Sequence, residues 1–126
     1  MTFGGSYYDQ GIFALLQGGS LTTNDVNFSS SATVSSMLNI VGVIGHCNSS
    51  TSITMTSWNV SCSFTGGYGD MAGIVGYLDT STLTITSLTH SGTITATSMS
   101  GTSYRGGMLI GYSYSSTLTL NNLAST

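Results

Sequence analysis

Residues Thr82, Leu83, Thr84, Ile85 and Thr86 alternate polar and apolar without a break. Alternation with period two marks a strand with one face buried and one exposed. Ahead of it lie a compact run, Gly73 to Tyr77, with Ile74 and Val75 inside it, and a polar corner, Asp79 to Thr82. Run, corner and alternating strand recur along the whole chain. A small residue, Ala14, Gly45, Gly76 or Gly111, closes the run in each copy, and these positions lie 31, 31 and 35 residues apart. The next position holds Leu15, His46, Tyr77 and Tyr112. The corners are Gln17 to Ser20, Asn48 to Ser52, Asp79 to Thr82 and Tyr114 to Thr117.

The alternating strands turn Leu21 and Thr23, Ile53 and Met55, Leu83 and Ile85, and Leu118 and Leu120 to one side. Five residues after the first of each pair stands another apolar residue: Val26, Trp58, Leu88 and Leu123. Six further on, Ala32, Phe64 and Ile94 predict a third short strand, and the fourth copy stops before it. A single unit buries too little to be stable, but stacked units share a continuous core with like residues in columns. The expected fold is therefore all-β: a β-solenoid (β-helix) of roughly three to four coils, with two or three short parallel strands in each. Residues 1–126 read as one solenoid domain. It comprises a part-repeat 1–10, repeats 11–41, 42–72 and 73–107, and a part-repeat 108–126.

Composition adds a near absence of charge. Only Asp9, Asp25, Asp70, Asp79 and Arg105 are formally charged, and Pro, Lys and Glu are missing. A net charge of −3 gives no clustered cation for nucleic acid to meet. No apolar run approaches the ~20 residues of a membrane span. So weakly charged a surface suits an assembly, a glycan coat or a field of hydroxyls.

The N-terminal stretch, Met1 to Gly11, matches the second half of a repeat, Cys62 to Gly73, and Thr126 falls where a first half ends. No basic, apolar-cored leader stands at Met1, so either a leader has been removed or the chain is a segment of something longer. The two part-repeats add up to one repeat. Neither carries an amphipathic cap, and open strand edges template further pairing. The expected partner is a second copy stacked head to tail, or flanking repeats of a longer chain. Phe3, Tyr7, Ile12 and Phe13 would stand on one side of that junction, and Leu118, Leu120 and Leu123 on the other.

The run Gly73 to Tyr77 with Ser81 to Thr86, and His90 to Ile94, resembles the GLUG-type repeats of large secreted adhesins. Ala14-Leu15 and Gly45-His46 depart from that motif. The resemblance implies an extracellular or cell-surface repetitive β-helix serving adhesion or acting as a structural stalk. It implies no catalytic residue.

Individual side chains carry several further expectations. His46 and His90 fall in different columns, the Asp residues show no paired spacing, and no nucleophile motif or phosphate loop is present, so the chain is not expected to be an enzyme or to hold a cofactor. Asp9 and Asp70 recur in similar turns, where an Asp that bonds its own backbone accounts for them better than a metal does. Cys47 and Cys62 would either bridge two corners as a disulfide or lie buried as free thiols. Asn27, Asn48 and Asn59 open N-glycosylation sequons, Asn48 at a polar corner. Tyr7, Tyr68 and Tyr104, with Leu38, read as a packed column.

Opposite the inward apolar residues, Thr54, Thr56, Thr82, Thr84, Thr86, Thr117 and Thr119 point outward in a ladder that Ser52 and Asn121 complete. Such arrays resemble the ice-binding faces of solenoid antifreeze proteins. They are more readily what β-propensity gives a strand facing solvent, sugar or a neighbouring filament. The first coil interrupts the array, with Thr22 between Ser20 and Asn24 and Thr23 turned inward. Two functions follow as expectations: a structural subunit of a surface fibre growing by strand-edge addition, or a module that meets ice or surface glycans through its Thr face.

Overall fold

The structure, a computed structural model, describes residues 2–3, 11–34, 40–41, 43–66, 70–96 and 105–126. Among them run thirteen strands: Thr2–Phe3 (β1), Phe13–Gln17 (β2), Ser20–Val34 (β3), Ile40–Val41 (β4), Ile44–Asn48 (β5), Ser52–Gly66 (β6), Asp70–Ala72 (β7), Val75–Asp79 (β8), Thr82–Ser91 (β9), Ile94–Ala96 (β10), Arg105–Gly107 (β11), Ile110–Tyr114 (β12) and Thr117–Ser125 (β13). Every pairing is parallel. The strands form three sheets: β1-β3-β6-β9-β13 with β10 also on β6, then β12-β8-β5-β2, then β11-β7-β4. The chain visits the three walls in turn and rises one strand each time, which is a β-solenoid.

The register follows the columns of the sequence. Phe13 pairs Ile44 and Leu15 pairs His46, which sets Ala14 beside Gly45. Tyr77 pairs both His46 and Tyr112, so Gly76 and Gly111 continue that column. A Cβ on Gly111 would lie 2.7 Å from the Gly76 carbonyl oxygen and 3.1 Å from that of Met71, so the column must stay small where two walls meet.

The long strands are each bent once. Asp25, Ser57, Ser87 and Asn122 all have φ between 52 and 60°, and the pairing skips this position in every coil. The four residues stack as a column of left-handed corners, a conformation that costs roughly 1 kcal/mol for a non-glycine residue. The bend explains the odd five-residue offset in the sequence. Strict alternation would turn Val26, Trp58, Leu88 and Leu123 outward, and one inserted residue turns them back in.

The corner before each long strand is also satisfied coil to coil. Ser52, Thr82 and Thr117 donate backbone N–H to the carbonyls of Gly19, Thr51 and Ser81, each at 2.9 Å. The Thr51 hydroxyl accepts from Gly18 N at 2.9 Å and donates to the Asn48 carbonyl at 2.6 Å. Ser116 repeats this between the last two coils, accepting from Ser81 N at 3.1 Å and donating to the Tyr114 carbonyl at 2.8 Å. Hydroxyls turned inward thus take up backbone groups that a tight corner would otherwise leave unpaired.

The core fills the middle coils. Ile53, Met55, Trp58, Val60, Phe64, Ile74, Leu78, Leu83, Ile85 and Leu88 are buried, while Phe13, Leu21, Val26 and Phe28 on one side and Leu109, Ile110 and Leu120 on the other are half-buried. Full burial of one such side chain stabilises by roughly 1.5–3 kcal/mol. The outermost coils realise only part of that.

Candidate functional site

Among the described residues, two outer faces and two open edges are the surfaces that bear on function. The first face lies on the long sheet. Because Ile53, Met55, Leu83 and Ile85 are fully buried, the residues between them must face out. Thr54 pairs Thr84 and Thr56 pairs Thr86, with Ser52 on Thr82. Thr117, Thr119 and Asn121 lie on Thr82, Thr84 and Thr86, and Ser20, Thr22 and Asn24 on Ser52, Thr54 and Thr56. Coils stand ~4.8 Å apart and alternate residues ~6.7 Å apart, so these side chains form a regular uncharged grid of hydroxyls and amides. The first coil is expected to interrupt the grid. It keeps the register and changes only chemistry, because Thr23 turns inward as expected while Ser20, Thr22 and Asn24 stay outward and exposed.

The second face carries aromatic rings. His46 and Tyr77 lie 4.7 Å apart between centroids and tilted by 47°, and Tyr77 and Tyr112 lie 5.0 Å apart and stacked within 6°. The rings pack along the solenoid axis on the coil spacing. Tyr77 is thereby flanked by rings on both sides. The alignment of the sequence had set Leu15, His46, Tyr77 and Tyr112 in one column. Its aromatic character is visible there, its stacking is not. The expected Tyr7, Tyr68, Tyr104 and Leu38 column lies outside the described residues.

The remaining candidates separate. Cys47 and Cys62 are both fully buried and are not joined as a disulfide in this structure. Cys47 sits in the Leu16–Leu78 column of one sheet and Cys62 beside Ser30 in another, each filling an inward position as a small hydrophobe. Burial pushes the Cys62 thiol up to about 11. Asn27 and Asn59 are exposed and are register partners, whereas Asn48 is half-buried with its Oδ1 buried and unbonded. Among the described residues no three of His, Cys, Asp and Glu come together as a metal site. Asp9 and the Asp70 side chain lie outside the described set.

His90 is 2% exposed, in the column Phe28, Val60, His90, Ser125, and neither ring nitrogen has a hydrogen-bond partner. Its ring packs against Gly73, where any Cβ would collide with it. Desolvation lowers its pKa, so it is held neutral.

The edges are apolar. On the first coil Ile12 is 52% and Leu15 47% exposed; on the last, Leu118 and Leu123 are each 41% exposed. Phe13 and Leu120 are half-buried beside them. Phe3 lies in β1 against Val34, with its side chain outside the described set, as is all of Tyr7. No helix among the described residues is long and apolar enough to cross a membrane.

No family model matches the chain, and neither a curated protein nor a solved structure is similar to it. The GLUG-type resemblance of Gly73 to Tyr77 thus extends to a repeat-spaced parallel β-solenoid and has no matching family model behind it.

Proposed function

We propose that this solenoid is a self-stacking structural unit of an extracellular fibre or adhesin-like stalk, extended by strand addition at its two open edges. The observation that supports this is the equivalence of those edges. β2 and β3 present the same columns upward that β12 and β13 leave uncovered, all pairings are parallel, and the strand that would pair with each edge is therefore more of the same fold. The low charge suits such an assembly, because a charge at a repeated junction would stack on its own copy. The unit contributes shape and contact, with no chemical step. A second copy or flanking repeats of a longer chain would satisfy the edges alike.

Electron microscopy of the purified 126-residue chain tests the reading. The expected result is filaments whose axial rise per subunit is about 19 Å, four coils at ~4.8 Å each. A monodisperse monomer at all concentrations would overturn it.

The grid of Thr54, Thr56, Thr84 and Thr86 supports a second reading, a face that meets ice or a glycan lattice. Thermal hysteresis should then appear in the wild-type protein and vanish in Thr84→Lys. Hysteresis that survives Thr84→Lys removes the ice reading.

A further inference from the structure

The uncovered end of the last coil is not flat. A cavity of about 230 Å³ opens there, lined by Leu88, His90, Met108, Leu109, Leu123, Ala124 and Ser125. Its cause lies in the columns. Ser125 lies on His90, in the column that carries Phe28 and Val60 lower down, and Ala124 lies on Thr89. Ser125 thus ends with a small side chain an inward column that elsewhere holds larger ones, while Ala124 continues the exposed column of Asn27, Asn59 and Thr89. Leu123 and Met108 rim the opening at 41% and 39% exposure.

We infer that this cavity is the socket of the self-stacking junction proposed above, and that its occupant is the Phe28 ring of a second copy of this chain. The inference rests on that stacking reading and on continuity with the coil–coil interface inside the molecule. In that interface Phe28 lies on Val60 and Val26 on Trp58, and Phe13 lies on Ile44. A copy advanced by one coil repeats the register. It sets Phe28 over Ser125, Val26 over Leu123 and Phe13 over Ile110. The large residue of the column then meets its smallest one, and shape is complementary where each end alone is not. In the free unit Phe28, on the first coil, is only half-buried. Val26, half-buried beside it, is carried down on Leu123. Among the described residues no charged side chain lines the socket and its polar members are His90 and Ser125, so the strength of the contact comes mainly from area and fit.

The two ends can be tested separately. Phe28→Ala removes the knob and leaves the socket. Ser125→Trp fills the socket and leaves the knob, at an exposed position on the last strand that the fold can accommodate. Burying one aromatic ring corresponds to about 10- to 100-fold in an association constant. Each variant should therefore raise the critical concentration for polymerisation by that factor, measured by light scattering and sedimentation, with circular dichroism unchanged. Mixed into wild type, each should cap one filament end, shortening filaments at substoichiometric ratios. Each variant alone should not polymerise at concentrations where wild type does. Wild-type filaments together with unaltered critical concentrations in both variants would overturn the socket while leaving stacking intact. Wild type that never assembles would overturn the stacking reading itself. Assembly only with a lysate component, and not with purified chain, would assign the socket to another partner and likewise overturn a second copy as its occupant.

Discussion

The Trp58 indole Nε1–H donates to the Thr23 hydroxyl of the preceding coil at 3.0 Å. Trp58 is 3% exposed and is the one tryptophan of the chain. An indole buried to that extent needs a partner for its N–H, and this accounts for a Thr in a column otherwise filled by Met55, Ile85 and Leu120. Thr23→Val keeps the shape and removes the acceptor. It should cost about 1–3 kcal/mol, the range for a buried donor left unpaired. Urea unfolding followed by Trp58 fluorescence reads both the loss and the local environment, and an unchanged midpoint would show that the indole finds water instead.

The left-handed corner column makes a prediction of opposite sign at one site. Ser87 has φ of 60° and its side chain is exposed. Ser87→Gly should stabilise by up to about 1 kcal/mol by relieving the αL cost, offset in part by the freedom glycine gives the unfolded chain. Ser87→Val should destabilise by at least about 1 kcal/mol, since β-branched residues resist positive φ. Thermal unfolding of the pair checks the order Gly above Ser above Val.

Stability should fall on the acid side because of His90. Its pKa is lowered in the folded state by burial. The unfolded chain therefore takes up a proton that the folded chain refuses. The stability is fully present above the ordinary histidine value of 6.5 and is lost progressively as pH falls below it. His90→Val, which copies Val60 one coil below, should flatten the pH dependence between about pH 6.5 and 5 in denaturant titrations. An equally steep wild-type and variant slope in that window would exclude His90 as its source.

Thiol chemistry reports the same core from another side. Cys62 is fully buried with its pKa raised to about 11, and Cys47 is equally buried. Thiolate is the reactive species, so neither thiol should be labelled by iodoacetamide at pH 8 in the native protein. Both should label in denaturant, as counted by mass spectrometry. Rapid native labelling would mean that the coils separate more often than their packing implies.

Much of this architecture is legible in the residues, and the reason is the repetition. Gly76 and Gly111 stand seven residues before Leu83 and Leu118 and Gly45 eight before Ile53, and a column that must stay small announces itself in each copy. The inward set Ile53, Met55, Leu83 and Ile85 follows from period two alone. The bend at Asp25, Ser57, Ser87 and Asn122 is also present in the sequence, as an odd spacing of five that alternation cannot span; its residues are the short polar types that suit such a turn, but Ser and Asn are too frequent in this chain to mark it. The third wall was harder to see. Ile40–Val41, Asp70–Ala72 and Arg105–Gly107 are two or three residues long, too short for a period to show. The Thr23–Trp58 bond and the socket at Ser125 depend on which copies are neighbours in space, and only a folded stack of coils puts them side by side.

The two kinds of corner differ in how they treat length. The bend at Ser57 has one residue in every coil, and the pairing resumes on both sides with no variation. The corner before the long strand has two residues between paired positions in three coils, but three in the second, where both Ser49 and Ser50 adopt positive φ and are exposed. The walls on either side keep their register regardless. Insertions are therefore absorbed at the corner before the long strand and refused at the bend within it, so a peptide or a whole domain grafted between Ser49 and Ser50 would be carried outside the stack. A fibre built from this unit would display such a graft once per subunit, in a line along its length.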